Sequence, residues 1–284
     1  MIGQAERLLE LNRLKAQSQQ QSKPSKKNII AFSSGKGGTG KTFVSLNTAY
    51  ALSKLNRKVL LVDLDANLSN VNIMLNIKSE KTIINFFLKR APLNSLVSQY
   101  STNLHFIFGD SGRADYPVPG KNELDLFIHE LRELSMAYDY VVLDIGAGAG
   151  EDIIQILKNA DRNIVIINPE PTAIMDAYVI IKSLHNAGYT GDKHVVVNKC
   201  LSSDDGITSF NNLSKAATHF LKERVSLLGI IEHDAAVTRA IMSQELLLKI
   251  NPRSKAALQI LRVTQNLLKI LQMANNHQSH TASY

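Results

Sequence analysis

Cysteine is almost absent from this chain of 284 residues, whose one cysteine is Cys200. A single cysteine cannot form an intramolecular disulfide, so the sequence favours a protein of a reducing compartment. The same scarcity excludes any site that needs several thiolates from one chain, such as a cysteine-ligated metal cluster. The single thiol thus favours a reducing compartment and argues against a metal cluster held by cysteines.

Long hydrophobic runs are also missing, because no apolar stretch approaches the roughly 18 residues that a membrane-spanning helix needs. The first residues do not show the basic and then apolar pattern of a secretion signal. Hydrophobic residues make up 44% of the chain and charged residues 20%, which are ordinary values for a globular protein with a sizeable core. We therefore expect a folded cytoplasmic protein.

Acidic residues are scarce at the two ends of the chain, and the formal net charge is +7. Residues 1–28 carry a balance of +4, residues 246–284 carry +5 without any acidic residue, and residues 29–245 carry −2. Taken whole, the net charge would indicate nucleic acid or an anionic membrane as the partner. Its distribution instead predicts a slightly acidic body with a basic segment at each end.

The N-terminal segment combines a short helical pattern with a polar linker. Apolar residues recur every three positions between Ile2 and Leu14, and residues 17–27 contain no apolar side chain to bury. We predict that residues 1–27 form a helical peptide and a flexible linker. They are tethered to a folded domain over residues 28–259.

The C-terminal segment, residues 260–284, is predicted to contain an amphipathic helix and a disordered tail. Between Ile260 and Met273 the apolar residues fall on one half of a helical wheel, with Arg262 and Lys269 on the other half. Such a stripe is typical of a final helix that packs on a sheet, but it also fits a basic helix on a membrane surface. Both interpretations stay open.

Short β-branched runs alternate with helical patterns between the two ends. The runs are continuously apolar, as strands of a parallel sheet with both faces covered must be. The predicted strands are residues 29–33, 58–64, 104–108, 140–145, 163–168, 194–198 and 225–231. This alternation predicts an α/β fold with one doubly wound, mostly parallel sheet and helices on both faces.

A glycine-rich loop follows the first predicted strand and opens a helix. Residues 35–42 read GKGGTGKT and match the phosphate-binding pattern G-x-x-x-x-G-K-[ST]. Glycines let backbone N–H groups turn toward phosphate oxygens, Lys41 reaches the β and γ phosphates, and the Thr42 hydroxyl can ligate Mg²⁺. We predict nucleotide contacts from Gly35, Gly37, Gly38, Thr39, Gly40, Lys41, Thr42 and Phe43.

Carboxylates stand at the ends of two other predicted strands. Asp63 and Asp65 end the second strand, and Asp144 lies near the end of the strand over residues 140–145. The carboxyl ends of parallel strands form one edge of the sheet, where the ligand sites of α/β proteins lie. An aspartate after an apolar strand holds Mg²⁺ in phosphate-loop enzymes, so Asp144 is a predicted Mg²⁺ ligand together with Thr42.

These motifs resemble the deviant Walker A motif and the switch regions of the MinD/ParA ATPases. Lys36 matches the extra lysine that, in this family, reaches across an ATP-sandwich dimer to the nucleotide of the partner subunit. Asp63 and Asp65 match switch I, where the first aspartate supports Mg²⁺ and the second orients the attacking water, and Asp144 begins a match to switch II. The resemblance implies ATP hydrolysis with Mg²⁺, an ATP-dependent homodimer, and catalytic roles for Lys36, Lys41 and Asp65.

A second set of motifs resembles the FlhG (FleN) family of flagellar number and placement regulators, a branch of the MinD/ParA ATPases. Residues 168–178 contain Pro-Glu-Pro-Thr and Asp-Ala-Tyr. Residues 3–8 resemble the activator peptide of this family, with Gly3 in place of the usual aspartate. Asn198 is similar to the asparagine that recognises the adenine base, whose donor and acceptor edge an amide can match.

The resemblance also implies partners. It implies binding of an FlhF-like GTPase through residues 1–15, and contact with a flagellar transcriptional regulator or switch-complex protein. Peripheral association with the inner membrane would occur in the ATP-bound state, through the C-terminal helix and an anionic membrane surface.

Related proteins with other functions provide the alternatives. A MinD-type septum-site regulator shares the ATPase motifs but is separated by the Pro-Glu-Pro-Thr signature and the N-terminal peptide. A ParA-type DNA-partition protein would bind DNA with its basic residues, which the charge of −2 over residues 29–245 argues against. Iron–sulfur carriers of the same fold need two cysteines per subunit, and this chain has one. Related tyrosine kinases carry a cluster of tyrosines at the C-terminus, where this chain has the single Tyr284. Both alternatives are therefore disfavoured.

Overall fold

The computed structural model describes residues 28–65, 71–110 and 119–281. The predicted N-terminal peptide and linker, residues 1–27, lie outside the described residues. Eight strands form one sheet in the described part: β1 (Ile29–Ser33), β2 (Val59–Leu64), β3 (Ser98–Ser101), β4 (Leu104–Ile107), β5 (Tyr140–Ile145), β6 (Arg162–Ile167), β7 (Lys193–Cys200) and β8 (Ser226–Glu232).

The order of the strands across the sheet is β3-β4-β2-β5-β1-β6-β7-β8. All neighbours are parallel except β3 and β4, which are antiparallel. The predicted α/β fold with a mostly parallel, doubly wound sheet is confirmed. The antiparallel edge strand β3 is an addition to the predicted strands.

Helices cover both faces of the sheet, and the alternation of side chains along the strands explains why. The helices are α1 (Lys41–Lys54), α2 (Val71–Met74), α3 (Ile83–Phe87), α4 (Lys121–Ser135), α5 (Glu151–Lys158), α6 (Pro171–Asn186), α7 (Ser203–Ala216), α8 (Ala235–Met242), α9 (Leu247–Ile250) and α10 (Lys255–Thr281). In β1, Ile29 and Ala31 join one apolar cluster with α4 to α7, whereas Ile30 and Phe32 join another with α1 and α10. A strand with apolar residues on both faces therefore reads as a continuous apolar run.

The C-terminal helix α10 is one continuous element that begins before the predicted boundary at residue 260. Ile260, Val263, Leu267 and Leu271 are at most 3% exposed and belong to the apolar cluster that contains α1. Asn266 Nδ2 adds a hydrogen bond of 2.9 Å to the carbonyl oxygen of Leu228 in β8. The apolar stripe thus packs on the sheet as far as Leu271, as in the first of the two predicted alternatives.

No helix in the described part of the chain has both the length and the apolar composition that crossing a membrane requires.

Candidate functional site

A cleft of about 490 Å³ opens at the carboxyl edge of the sheet. Its walls are the phosphate-binding loop (residues 35–42), the segments that follow β2 and β5, the end of β7, and the segment from β8 into α8. The connection from β1 leads toward β2 on one side, while β6, β7 and β8 lie on the other side of β1. Ligands of α/β proteins bind where the strand order reverses in this way.

The phosphate-binding loop joins β1 to α1 and requires glycine at two positions. Gly38 and Gly40 have φ angles of 79° and 86°, in the left-handed region that other residues rarely adopt. A Cβ atom on Gly40 would also lie 2.4 Å from Asn198 Nδ2, which is too close for a side chain. The loop ends at the N-terminus of α1, where free N–H groups and the helix dipole favour a bound phosphate.

Lys41 and Asp144 form a buried ion pair in this site. Lys41 Nζ lies 2.8 Å from Asp144 Oδ1, and the two side chains are 6% and 0% exposed. Lys41 Nζ also lies 3.5 Å from Thr42 Oγ1. The second carboxylate oxygen, Asp144 Oδ2, is buried and has no hydrogen-bond partner among the described residues. Such an oxygen is costly to bury unless a ligand satisfies it.

These residues fit the Mg²⁺ ion that the resemblance implies. Asp144 Oδ2 and the Thr42 hydroxyl are hard oxygen donors of the kind that Mg²⁺ prefers. Within residues 28–65, 71–110 and 119–281, no three His, Cys, Asp or Glu side chains form a metal-binding cluster by themselves. Because Mg²⁺ at nucleotide sites takes one or two protein oxygens together with phosphate oxygens and water, this small donor set suits an ion that binds with a nucleotide.

Asp63 and Asp144 occupy paired positions on the adjacent strands β2 and β5. Asp63 is fully buried, and its carboxylate accepts hydrogen bonds from the backbone N–H groups of Asp65 at 3.1 Å and Val71 at 3.2 Å. These two bonds hold both flanks of residues 66–70, which lie outside the described residues. Asp65 is partly exposed and lines the cleft. Asp63 therefore fixes the backbone at Asp65 and Val71, whereas Asp65 borders the space for a ligand.

Lys36 is held within its own chain. Its Nζ forms an ion pair with Glu170 and lies 3.0 Å from Thr172 Oγ1, and all three side chains are accessible to solvent. The hydrogen bond from Lys36 holds the pKa of Glu170 below its usual value. Glu170 and Thr172 belong to the Pro-Glu-Pro-Thr motif that the sequence singles out, but the motif alone does not reveal this contact.

Asn198 and Lys199, at the end of β7, both donate hydrogen bonds to the phosphate-binding loop. Asn198 Nδ2 lies 2.8 Å from the carbonyl oxygen of Thr39, and Lys199 Nζ lies 2.6 Å from that of Gly38. The resemblance implies that Asn198 recognises the base. In the structure its amide nitrogen donates to the loop and the residue also lines the cleft, so base recognition stays a prediction.

One wall of the cleft contains none of the residues that the sequence predicts for the site. This wall consists of Glu232, His233, Asp234, Val237, Thr238 and Ile241. Glu232 accepts hydrogen bonds from Ser203 and Gln259 and pairs with Lys255, which holds the pKa of Glu232 below its usual value. In the sequence, only the position of this wall could have indicated its role, because the wall follows the carboxyl end of a predicted parallel strand.

Three comparisons with known proteins bear on this site. Residues 27–197 match the AAA_31 family, an AAA domain. The antiactivator FleN of Pseudomonas aeruginosa is 30% identical over 239 residues, which are 84% of this chain and 85% of FleN. The flagellum site-determining protein YlxH of Helicobacter pylori is 32% identical over 254 residues, 89% of this chain and 85% of YlxH. The solved structure of MinD with Mg-ADP from Pyrococcus horikoshii has a TM-score of 0.73 at 24% identity, and covers 86% of this chain and 96% of MinD.

Proposed function

We propose that this chain, which belongs to the AAA_31 family and is a relative of FleN and YlxH, is an ATPase that regulates flagellar number or placement. It is an ATPase of the MinD/ParA type. The observation that carries the ATPase part of the proposal is the buried pair of Lys41 and Asp144 behind a glycine-rich loop, with one carboxylate oxygen that has no partner in the described part of the chain.

The proposed chemistry is divided among a few side chains. The N–H groups of the loop and the Lys41 ammonium group bind and orient the phosphates. Thr42 and Asp144 would hold Mg²⁺, which neutralises charge on the β and γ phosphates when it is bound. Asp65 borders the cleft, and we assign to it the orientation of the attacking water.

Isothermal titration calorimetry with Mg-ADP tests the nucleotide site. We expect the wild type to bind, and the Lys41→Ala variant to lose binding because the loop then lacks its buried positive charge. Lys249→Ala removes an exposed lysine on α9 and serves as the control with unchanged binding. A wild type that does not bind, or a Lys41→Ala variant that binds equally well, would contradict the proposal.

An ATP-dependent homodimer, in which Lys36 reaches the nucleotide of the other subunit, is the second part of the proposal. The contacts of Lys36 with Glu170 and Thr172 are exposed, so moving the lysine breaks only solvent-screened contacts. Light scattering with saturating ATP should show a dimer for the wild type and for Glu170→Gln, and a monomer for Lys36→Ala. A wild type that stays monomeric would refute the dimer.

Flagellar partners form the third part. Residues 3–8 support the binding of an FlhF-like GTPase through residues 1–15, and the similarity to FleN supports a flagellar transcriptional regulator or switch-complex protein as a further partner. Deletion of residues 1–20 should leave ATP hydrolysis unchanged and abolish stimulation of the partner GTPase. Equal stimulation by the deletion variant would remove the role of this peptide.

Peripheral binding of the dimer to an anionic membrane is the fourth part. Its support is the balance of +5 over residues 246–284, because each basic residue near an anionic surface contributes about 1 kcal/mol. Since the apolar stripe of α10 is buried as far as Leu271, we assign the contact to the exposed Arg262 and Lys269 on the other face of this helix.

Sedimentation with vesicles that contain anionic lipid tests the membrane contact. We expect binding that requires ATP and that weakens in the Arg262→Gln/Lys269→Gln variant, because two positive charges are lost. Vesicles of neutral lipid are the control. Equal binding to neutral vesicles would contradict an electrostatic contact.

A further inference from the structure

We infer that Lys199 is a positioning residue of the phosphate-binding loop, a role that rests on the proposed nucleotide binding. Lys199 and its neighbour Asn198 hold two consecutive carbonyl groups of the loop, those of Gly38 and Thr39. Both side chains come from the end of β7, which pairs with β6 as far as Val197 and with β8 on both sides of a register shift at Lys199. The end of a sheet strand therefore supports the most glycine-rich part of the loop.

The planarity of the peptide bond converts this support into an orientation of N–H groups. In a trans peptide unit, the carbonyl oxygen and the N–H of the next residue point in opposite directions. Fixing the carbonyl of Gly38 toward Lys199 therefore turns the N–H of Thr39 away from Lys199. Fixing the carbonyl of Thr39 toward Asn198 likewise turns the N–H of Gly40 away from Asn198. Such aligned N–H groups are the donors that cradle phosphate oxygens.

The loop needs this external support because its glycines do not hold one conformation by themselves. Gly38 and Gly40 both have positive φ angles, and a Cβ atom on Gly38 would meet nothing within 4 Å. Glycine loses more backbone freedom on ordering than any other residue. A hydrogen bond of 2.6 Å from an ammonium group to the carbonyl of Gly38 limits that freedom before a nucleotide binds.

The backbone of Lys199 provides an independent observation. Its φ angle is 61°, in the left-handed region where residues with a side chain are strained. The residue is exposed, so packing in the core does not require a lysine here. Strain of this kind persists where the surrounding contacts determine the conformation, and it clusters at ligand sites. The left-handed conformation lies at a register shift between β7 and β8, and the Lys199 ammonium group there donates to the loop.

Three substitutions separate the contact from the strain. Lys199→Met keeps the length of the side chain but removes the ammonium group, and Lys199→Arg keeps a positive donor. Lys199→Gly removes the contact and also relieves the backbone strain. Lys222→Met is the matched control, because Lys222 is an exposed lysine with a φ angle of 56° whose Nζ donates to the carbonyl oxygen of His219.

Calorimetric titration of the full chain with Mg-ADP and with AMP is the experiment. We expect Mg-ADP binding to weaken on the order of tenfold in Lys199→Met and in Lys199→Gly, as for the loss of a charge-assisted hydrogen bond, and to recover in Lys199→Arg. AMP lacks the β phosphate, so its binding should change much less. Without nucleotide, Lys199→Gly should melt no lower than the wild type, because relief of strain offsets the lost contact.

The outcomes distinguish this inference from the proposed function. Wild-type affinity for Mg-ADP in Lys199→Met, or an equal loss in Lys222→Met, would overturn the positioning role and leave nucleotide binding intact. An equal loss for AMP and Mg-ADP would also overturn it, because the effect would then not depend on the β phosphate. A wild type that binds neither nucleotide would overturn the proposed function itself.

Discussion

Asp63 and Asp144 lie side by side in the sheet, but their hydrogen bonds differ. The carboxylate of Asp63 accepts hydrogen bonds from the backbone N–H groups of Asp65 and Val71, whereas Asp144 pairs with Lys41 and has one oxygen without a partner among the described residues. Asp144 is therefore the better candidate for direct contact with Mg²⁺. Asp63 would support the ion through the backbone that it holds.

Replacement of Asp144 by alanine should destabilise the nucleotide-free protein by about 3 kcal/mol, because Lys41 would become a buried charge without its partner. Urea unfolding measures this loss. The double variant Lys41→Met/Asp144→Leu should recover most of it, since no buried charge is left unpaired. A single variant as stable as the wild type would show that the buried pair does not form.

His194 in β7 predicts a dependence of stability on pH. Neither ring nitrogen has a hydrogen-bond partner in the described part of the chain, and burial lowers the pKa of His194 below 6.5, with Asp192 opposing and Arg162 adding to the shift. The folded protein thus keeps this imidazole neutral, while the unfolded chain protonates it near its ordinary pKa. Because the unfolded state then binds more protons, the free energy of unfolding should decrease as the pH falls below 6.5.

Urea unfolding at about pH 7.5 and about pH 5.5 measures this dependence. His194→Leu should reduce it, because the leucine has no proton to bind, whereas His105, whose pKa burial also lowers, still contributes. His219→Gln, which removes an exposed histidine on the segment after α7, should leave it unchanged. An equal pH dependence in His194→Leu would show that other groups are responsible.

Single residues could be predicted where a local motif carries the chemistry. The phosphate-binding loop and the aspartates at strand ends are recognisable because their spacing is short and their place after a strand is fixed. The contact of Lys36 with Glu170 joins residues that are 134 positions apart, and Lys199 reaches Gly38 across 161 positions. No short pattern encodes such contacts, since they depend on the order of strands in the sheet.

At the scale of elements, the buried strands could be predicted almost to the residue. For example, residues 140–145 form β5 as predicted, because an apolar run covered on both faces has no other simple explanation. The edge strand β3 (Ser98–Ser101) was not predicted, since it is short and polar and its residues alternate between partly buried and exposed. A half-exposed strand of four residues gives no continuous apolar run.

The helix α10 shows where a periodic pattern stops being informative. A stripe of apolar residues on one face satisfies a sheet and a membrane surface equally well. The tertiary contacts distinguish the two interpretations, because β8 and α1 pack against the apolar stripe as far as Leu271.

Two leucines on α10 test this packing. Leu267→Ala should destabilise the protein by about 2 to 5 kcal/mol, because it removes a side chain that is 0% exposed and leaves a cavity. Leu258→Ala on the same helix is the control with a much smaller effect, since Leu258 is 47% exposed. Equal stabilities of the two variants in urea unfolding would contradict the packed helix.

At the scale of the whole molecule, the ATPase body and the two terminal segments carry charge of opposite sign. The balance of −2 over residues 29–245 does not favour binding of a polyanion to the body, whereas both terminal segments are basic. The accessible Lys36 and the cleft lie at the same edge of the sheet, so a second copy that faces this edge would cover the nucleotide. Nucleotide state, dimerisation and the basic segments would then act as one switch.

Hydrolysis of ATP by the purified full-length chain tests the central claim most directly. In a turnover assay with Mg²⁺ that measures released phosphate, the wild type should hydrolyse ATP. The Asp65→Ala variant should still bind Mg-ATP in calorimetry but lose most of the turnover, because the proposal assigns to Asp65 the orientation of the attacking water and not the binding of the phosphates. Undiminished hydrolysis by Asp65→Ala, or no hydrolysis by a wild type that binds Mg-ATP, would contradict the account.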